Sequence, residues 1–288
     1  MNVSVLGLGL MGRPIARALI AAGYTVRGWN RSRLPDELTR DIPLVANIAH
    51  AAQSQVCILI LSDSDAVNAV LNQLEPHLTA GQLVIDMGTS DPKQSQVHAA
   101  RLAAKKIGWV DAPVSGGPEG ASARTLTIMA GGTEQDFARA KPLLQAIGKN
   151  ITHVGGPGAG HIVKIINQLI VGITVEAVAE ALTLAEKIGV DPRLVQQALA
   201  GGFADSKPLQ LHGTRMIQRA YVPGGKAKTQ LKDLKLAAEL AASVSAELPH
   251  LENTLALYRK LVEQGDGELD NSAIHKLLWS LPRDHTAT

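Results

Sequence analysis

Glycines at positions 7, 9 and 12 stand between a run of strand formers, Val3-Ser4-Val5-Leu6, and a helix-like run, Arg13-Pro14-Ile15-Ala16-Arg17-Ala18-Leu19-Ile20. That juxtaposition commits the start of the chain to a strand, a tight turn and a helix. In a turn of this spacing Gly7 lets the backbone leave the strand sharply. Gly9 removes a side chain where a pyrophosphate must approach the backbone, and Gly12 lets helix and strand pack closely. Leu8, Leu10 and Met11 complete the turn, and Pro14 falls in the first helical turn, where its missing N–H costs little. The spacing alone recurs by chance in a chain with 27 glycines, so its weight comes from the segments next to it in the chain.

A second strand, Tyr24 to Asn30, comes after a helix that stops at Ala21-Ala22-Gly23, giving the length of a β-α-β half. Sites that prefer NAD place an acid at the end of this strand for the ribose hydroxyls. Here Asn30 stands there, followed by Arg31, Ser32 and Arg33. A guanidinium and a hydroxyl suit an added phosphate and a carboxylate would repel it, so the expectation is NADP(H), with NAD(H) as the alternative cofactor. A plain solvated basic turn also accounts for these residues.

With 288 residues and 45% apolar content, the chain can build two domains or one large one with sizeable cores. Its net charge is +2, with no block of like charge and only three Trp, three Tyr and two Phe, which gives nucleic-acid binding little support. The single Cys57 excludes an internal disulfide and, within Val56 to Leu61, reads as an inert core thiol. The apolar stretch from Leu169 to Ala185 contains Glu176 and Glu180 and reads as an interior or amphipathic helix, not a membrane span. No basic leader precedes the glycine turn. The expectation is a cytoplasmic protein without a membrane or nucleic-acid partner.

Strand patterns at 2–6, 25–29, 43–46, 56–61, 82–86 and 108–112 alternate with helix patterns near 12–22, 47–52, 64–75, 92–105 and 134–147. Further strands at 125–130 and 151–154 extend the sheet. After Gly155-Gly156-Pro157-Gly158-Ala159-Gly160 strand signals vanish. Helices are expected over 161–188, 191–200, 207–218, 226–245, 248–264 and 271–278. The fold class is therefore α/β: a Rossmann-like, doubly wound sheet over 1–158, then an all-helical domain over 159–288.

Three segments carry candidate chemistry. In Gly158 to Gln168, Lys164, Asn167 and Gln168 stand at i, i+3 and i+4 on one helical face, among Ile162, Val163, Ile165 and Ile166. Desolvation moves an ammonium toward the working range of a general acid or base, and a nearby amide can orient a substrate oxygen. On spacing alone, a lysine whose stem lies along apolar surface with its head in water is the simpler account. In Trp109 to Gly117, the hydroxyl of Ser115 and the amides of Ser115, Gly116 and Gly117 suit a carboxylate, with a simple glycine turn as the alternative. The third segment, Gln230 to Asp233, holds Lys232 beside Asp233, where a surface charge pair is the alternative.

Together these segments resemble the β-hydroxyacid dehydrogenase family, which includes 3-hydroxyisobutyrate dehydrogenases, tartronate semialdehyde reductases and glyoxylate/succinic semialdehyde reductases. The resemblance covers nearly the whole chain. It rests on the turn Gly7 to Gly12, the D-A-P-V-S-G-G run Asp111 to Gly117, the G-x-G-x-x-x-K-x-x-N-Q run Gly158 to Gln168, and Lys232-Asp233. It implies hydride transfer between a nicotinamide and the carbonyl carbon of a short carboxylated substrate, with Lys164 as the acid/base and Asn167 positioning the reacting group. It further implies that Ser115, Gly116 and Gly117 bind the substrate carboxylate, that Lys232 closes over the nicotinamide end, and that Leu61, Ser62 and Thr89 contact the cofactor. No metal is implied, and His161 is expected to cap or pack. Two positions depart from the pattern: Arg124, where the family often has glycine, and Gly225, where it often has an aromatic. These bear on substrate identity more than on reaction class.

An imine reductase shares the architecture but usually has an acid or tyrosine where this chain has Lys164. A non-catalytic NADP-binding structural protein would be expected to have lost Lys164 or Asn167, and both are present. Apolar residues on several faces of the long helix, including Val171, Ile173, Val175 and Val178, suggest burial inside the helical domain or against a second subunit, hence a homodimer or homotetramer.

Overall fold

A computed structural model describes residues 1–280; residues 281–288, the end of the expected helical domain, lie outside the described residues. The chain divides into two units, Met1–Lys164 and Ile165–Thr288. In the first, β1 (Asn2–Leu6) leads to α1 (Gly12–Ala21), β2 (Thr25–Trp29), the one-turn helices α2 (Asp36–Thr39) and α3 (Ile48–Ala51), β3 (Val56–Leu59), α4 (Ser64–Leu74), β4 (Leu83–Asp86), α5 (Pro92–Ala103) and β5 (Gly108–Asp111). Then come β6 (Val114–Ser115), α6 (Gly117–Ser122), β7 (Leu126–Gly132), α7 (Glu134–Ile147), β8 (Gly148–Gly155) and the start of α8 (Ala159–Ile188).

The strands form one mixed sheet in the order β2-β1-β3-β4-β5-β7-β6, with β8 on β7. Pairing is parallel from β2 to β5, antiparallel where β7 meets β5 and β6, and parallel again between β7 and β8. The central parallel strands β1, β3, β4 and β5 are buried on both faces, as parallel strands flanked by helices are. Alternation along the strands sends Val3, Val5, Ile58, Ile85 and Val110 to one core, with α1 and α7. Leu6, Cys57, Leu59, Val84 and Trp109 go to the other, with α3, α4 and α5. Each fully buried Leu, Ile or Val contributes about 1.5–3 kcal/mol. Cys57 is an inert core thiol, its pKa pushed up to about 12 by burial.

The strand order reverses at β1, so the carboxyl ends of β1 and β3 flank the crevice where doubly wound sheets hold ligands. The expected α/β sheet followed by helices is what forms. Residues 43–46 are the exception: they make only a single bridge, Gly28 to Leu44, because a strand needs a ladder and this segment has one rung. The two-residue β6 and the short α2 and α6 are additions that carry no periodic sequence signal.

The first compact unit runs past the glycine joint to Lys164, taking in the first turn of α8. The reason is local. A Cβ on Gly160 would stand 2.5 Å from the carbonyl oxygens of both Asp111 and Met129, so the first turn of α8 lies directly on the ends of β5 and β7.

The second unit holds the rest of α8, then α9 (Pro192–Leu199), α10 (Lys207–Ile217), α11 (Ala227–Ser243), α12 (Pro249–Glu263) and α13 (Ile274–Ser280). Its core joins Val175, Val178, Ala179 and Leu182 of α8 to Leu209 and Met216, Leu231 and Leu234, Tyr258 and Leu261, and Ile274. By length and composition α8 could cross a membrane, but these residues of it are the center of the helical core. Asp270, fully buried, ties the loop before α11: it accepts from Arg215 at 2.8 Å, from the amides of Gly224 and Gly225, and from Ser272.

Candidate active site

The turn after β1 has the close geometry its glycines imply. Gly7 has φ +101°, and a Cβ there would lie 2.2 Å from the carbonyl oxygen of Ile60, at the end of β3. A Cβ on Gly12 would lie 1.8 Å from the carbonyl oxygen of Gly7, so only glycine lets α1 start against its own turn. Gly9 is different: a Cβ there would meet nothing within 4 Å. The fold does not need Gly9 bare, whereas a pyrophosphate approaching the backbone at the N-terminus of α1 does. The residues present therefore fit a dinucleotide. Leu8 is buried beneath the turn, while Leu10 is exposed beside the half-buried Met11.

Asn30, just past β2, braces this turn. Its Oδ1 accepts the amide of Leu8 at 3.0 Å and its Nδ2 donates to the carbonyl of Ser32 at 2.7 Å. Arg31 and Ser32 are exposed, and Arg31 makes no ion pair among the described residues. Leu61 and Ser62 follow β3 and Thr89 follows β4; a Cβ on Gly88 would lie 2.9 Å from the carbonyl oxygen of Leu61, so these two loops run side by side. The Ser62 hydroxyl donates to Asp63, which caps α4 through the amide of Ala66. Leu61 and Thr89 thus gather with the glycine turn at the edge of the crevice.

Ser115 ends β6, paired with Thr127 of β7. Gly116 (φ +127°) and Gly117 (φ +65°) come next in the left-handed region, a succession that favors glycine at both positions, and Gly116 is exposed. Arg124 lies on the turn after α6 with φ +57°, as an exposed helix-end cation.

The most heavily constructed part of the first unit is the start of α8. Asp86 and Asp111 end β4 and β5 and stand opposite each other in register. Asp111 Oδ1 accepts the amide of Gly158 at 2.7 Å and Oδ2 that of His161 at 3.1 Å, so one buried carboxylate satisfies two amides at the helix start. Asp86 accepts the amide of Gly88 and the hydroxyl of Ser90, and its Oδ2 lies 3.2 Å from His161 Nε2. Burial raises the Asp111 carboxyl above its ordinary pKa, against the opposing pull of His161 and the two amides. At Asp86 burial acts the same way, but His161, Gly88 and Ser90 outweigh it and the pKa falls. Lys164, one turn beyond His161, is only 8% exposed.

Asn167 and Gln168 fall in the second unit, where a polar chain links α8 to α11. Asn167 Nδ2 donates to Gln168 Oε1 at 2.9 Å; Gln168 Nε2 donates to Gln230 at 3.1 Å and to Asp233 Oδ2 at 2.7 Å. Lys232 Nζ lies 3.0 Å from Asp233 Oδ1. Asp233 is buried, so the pair is no solvated surface contact, and Lys232 is fixed through it to the same chain as Asn167. Gly172 makes this approach possible, since a Cβ there would stand 2.8 Å from Gln230 Nε2.

Asp86 and Gln230 were invisible in the sequence as site residues. Asp86 ends an ordinary buried strand, and Gln230 lies on a helix face that only the α8 contact marks as interior.

Two family models span almost all of the chain: the NAD-binding domain of 6-phosphogluconate dehydrogenase matches residues 2–155, and the NAD-binding domain of NADP-dependent 3-hydroxyisobutyrate dehydrogenase matches residues 158–278. The chain is 38% identical to the 2-hydroxy-3-oxopropionate reductase of Escherichia coli, over 96% of this chain and 97% of that protein. It is 32% identical to the 3-hydroxyisobutyrate dehydrogenase of Pseudomonas aeruginosa, over 96% and 98%. The crystal structure of a 3-hydroxyisobutyrate dehydrogenase from Salmonella typhimurium superposes with a TM-score of 0.89 at 28% identity, covering 96% of this chain and 99% of that one. With the glycine turn built for a dinucleotide and both halves matched, the chain belongs to the 3-hydroxyisobutyrate dehydrogenase group of the β-hydroxyacid dehydrogenase family, NAD(P)-dependent oxidoreductases acting on CH–OH.

Proposed function

We propose that this protein uses NADP(H) in preference to NAD(H) to interconvert a short hydroxy acid, of the β-hydroxy acid kind or a near relative, and the corresponding carboxylated aldehyde, with Lys164 as general acid and base. The substrate class is that of tartronate, methylmalonate or succinic semialdehyde, or glyoxylate. The observation that carries the reading is the burial of Lys164 on a turn of α8 anchored to the carboxyl ends of β4 and β5. A bound nicotinamide supplies or accepts the hydride. Lys164 Nζ gives a proton to the carbonyl oxygen as that oxygen gains charge in reduction, and takes it back from the hydroxyl in oxidation. By the family resemblance, Asn167 is assigned to orient the reacting group and Lys232 to contact the nicotinamide. Ser115, Gly116 and Gly117 hold the carboxylate through the Ser115 hydroxyl and backbone amides.

The preference for NADP(H) rests on the end of β2. No carboxylate stands there to meet ribose hydroxyls; Asn30 is committed to Leu8 and Ser32, and the Arg31 guanidinium is exposed for a phosphate. Self-association into a dimer or tetramer through the helical unit is part of the proposal. Ile170, Leu184, Ile188, Leu194 and Phe203 of that unit are exposed, more large apolar surface than a monomer gains from.

The test follows NADPH and NADH absorbance with glyoxylate and with tartronate, succinic and methylmalonate semialdehydes, beside the corresponding alcohols. NADPH-dependent turnover of one member supports the proposal, and no turnover of any member with either cofactor overturns it. Activity that prefers NADH would overturn the reading of Arg31 alone.

A further inference from the structure

His161 is fully buried, and both its backbone and its ring are held by strand-end carboxylates. For stability alone this is a costly choice, because an imidazole and a carboxylate both lose water on burial and an apolar residue of similar volume would fill the space more cheaply. What a directional bond adds is a fixed rotation and height for the helix turn. Gly160 brings that turn against Asp111 and Met129, Asp111 takes the amides of Gly158 and His161, and Asp86 takes the ring. Asp86 is itself held by Gly88 and Ser90, and both His98 of α5 and Asp111 face the pair electrostatically. Lys164 lies at i+3 from His161, on the same side of the helix.

We infer that His161 is a positioning residue for Lys164: the Asp86–ring contact and the Asp111–amide contact form a two-point anchor that sets where the buried ammonium stands above the sheet. The inference rests on the proposed role of Lys164 in proton transfer. Misplacing a reacting group by about 1 Å costs on the order of 100-fold in rate, so loosening one anchor point is expected to appear in kcat and not in binding.

The test compares His161→Leu, His161→Gln and Lys164→Ala with the wild type, using NADPH and whichever semialdehyde the wild type reduces. Leucine keeps the volume without a polar group; glutamine places an N–H donor near where Nε2 stands. For His161→Leu the expected result is a folded protein with NADPH affinity and substrate KM near wild type and kcat lowered about tenfold or more. In His161→Gln, kcat returns to within about threefold of wild type, because the bond to Asp86 is restored. Wild-type kcat in His161→Leu, or equal losses in the leucine and glutamine variants, overturns the positioning role. Undiminished turnover in Lys164→Ala overturns instead the reading of Lys164 on which this one rests.

Discussion

The amide of Leu8 donates to Asn30 Oδ1 across 3.0 Å, and this bond couples the glycine turn to the loop that carries Arg31. Because Asn30 Nδ2 also holds the carbonyl of Ser32, the place where pyrophosphate would sit and the place where a ribose phosphate would sit are set together. Replacing Arg31 with alanine removes a charge-assisted contact of about 1.5–3 kcal/mol, so KM for NADPH is expected to rise about 10- to 100-fold with NADH almost unaffected. Steady-state kinetics with the two cofactors check this, and a parallel loss for both would point to a damaged turn.

Lys164→Ala removes the proton donor and leaves the glycine turn intact. Turnover is expected to fall about 10²- to 10⁴-fold while NADPH binding, read by fluorescence titration, stays near wild type.

Gly116→Ala places a side chain at φ +127°, with its Cβ 3.3 Å from Leu126 Cδ2. Such a conformation costs a non-glycine residue about 1–3 kcal/mol, so the turn distorts. The expected outcome is a raised KM for the carboxylated substrate with unchanged NADPH affinity, which initial-rate kinetics over both substrates would resolve.

In the helical unit His275 is buried, with Nδ1 3.2 Å from the Tyr221 hydroxyl and Nε2 3.7 Å from Glu186. Burial first, and then the Arg219 charge, lowers its pKa from 6.5 to about 4. The folded protein thus keeps this histidine neutral where the unfolded chain protonates it. Between pH 6.5 and 4 the unfolded state binds more protons, so stability falls as pH falls through that window. Thermal melts across it should show a declining Tm, and His275→Gln should flatten the slope; an unchanged slope would remove His275 as the cause.

The sequence by itself determined the parts that depend on local backbone chemistry and periodicity. These are the strand, turn and helix around Gly7 to Gly12, the order of most strands and helices, the glycine pair at 116 and 117, and the placement of Lys164 beside Asn167 and Gln168 on one helix. Each is dictated by neighbors a few residues apart, through allowed φ and the spacing of apolar side chains. Tertiary structure alone decided what those parts rest on. Asp86 meets His161 across 75 positions of chain, and Asp111 reaches Gly158 across 47, because parallel strands end side by side and a later helix lands on them. It also turned Lys232-Asp233 from a possible surface pair into one end of a buried chain through Gln168, and held residues 43–46 to a single bridge with β2. Burial and partnership between distant residues set these outcomes, and no local pattern encodes which distant groups will meet.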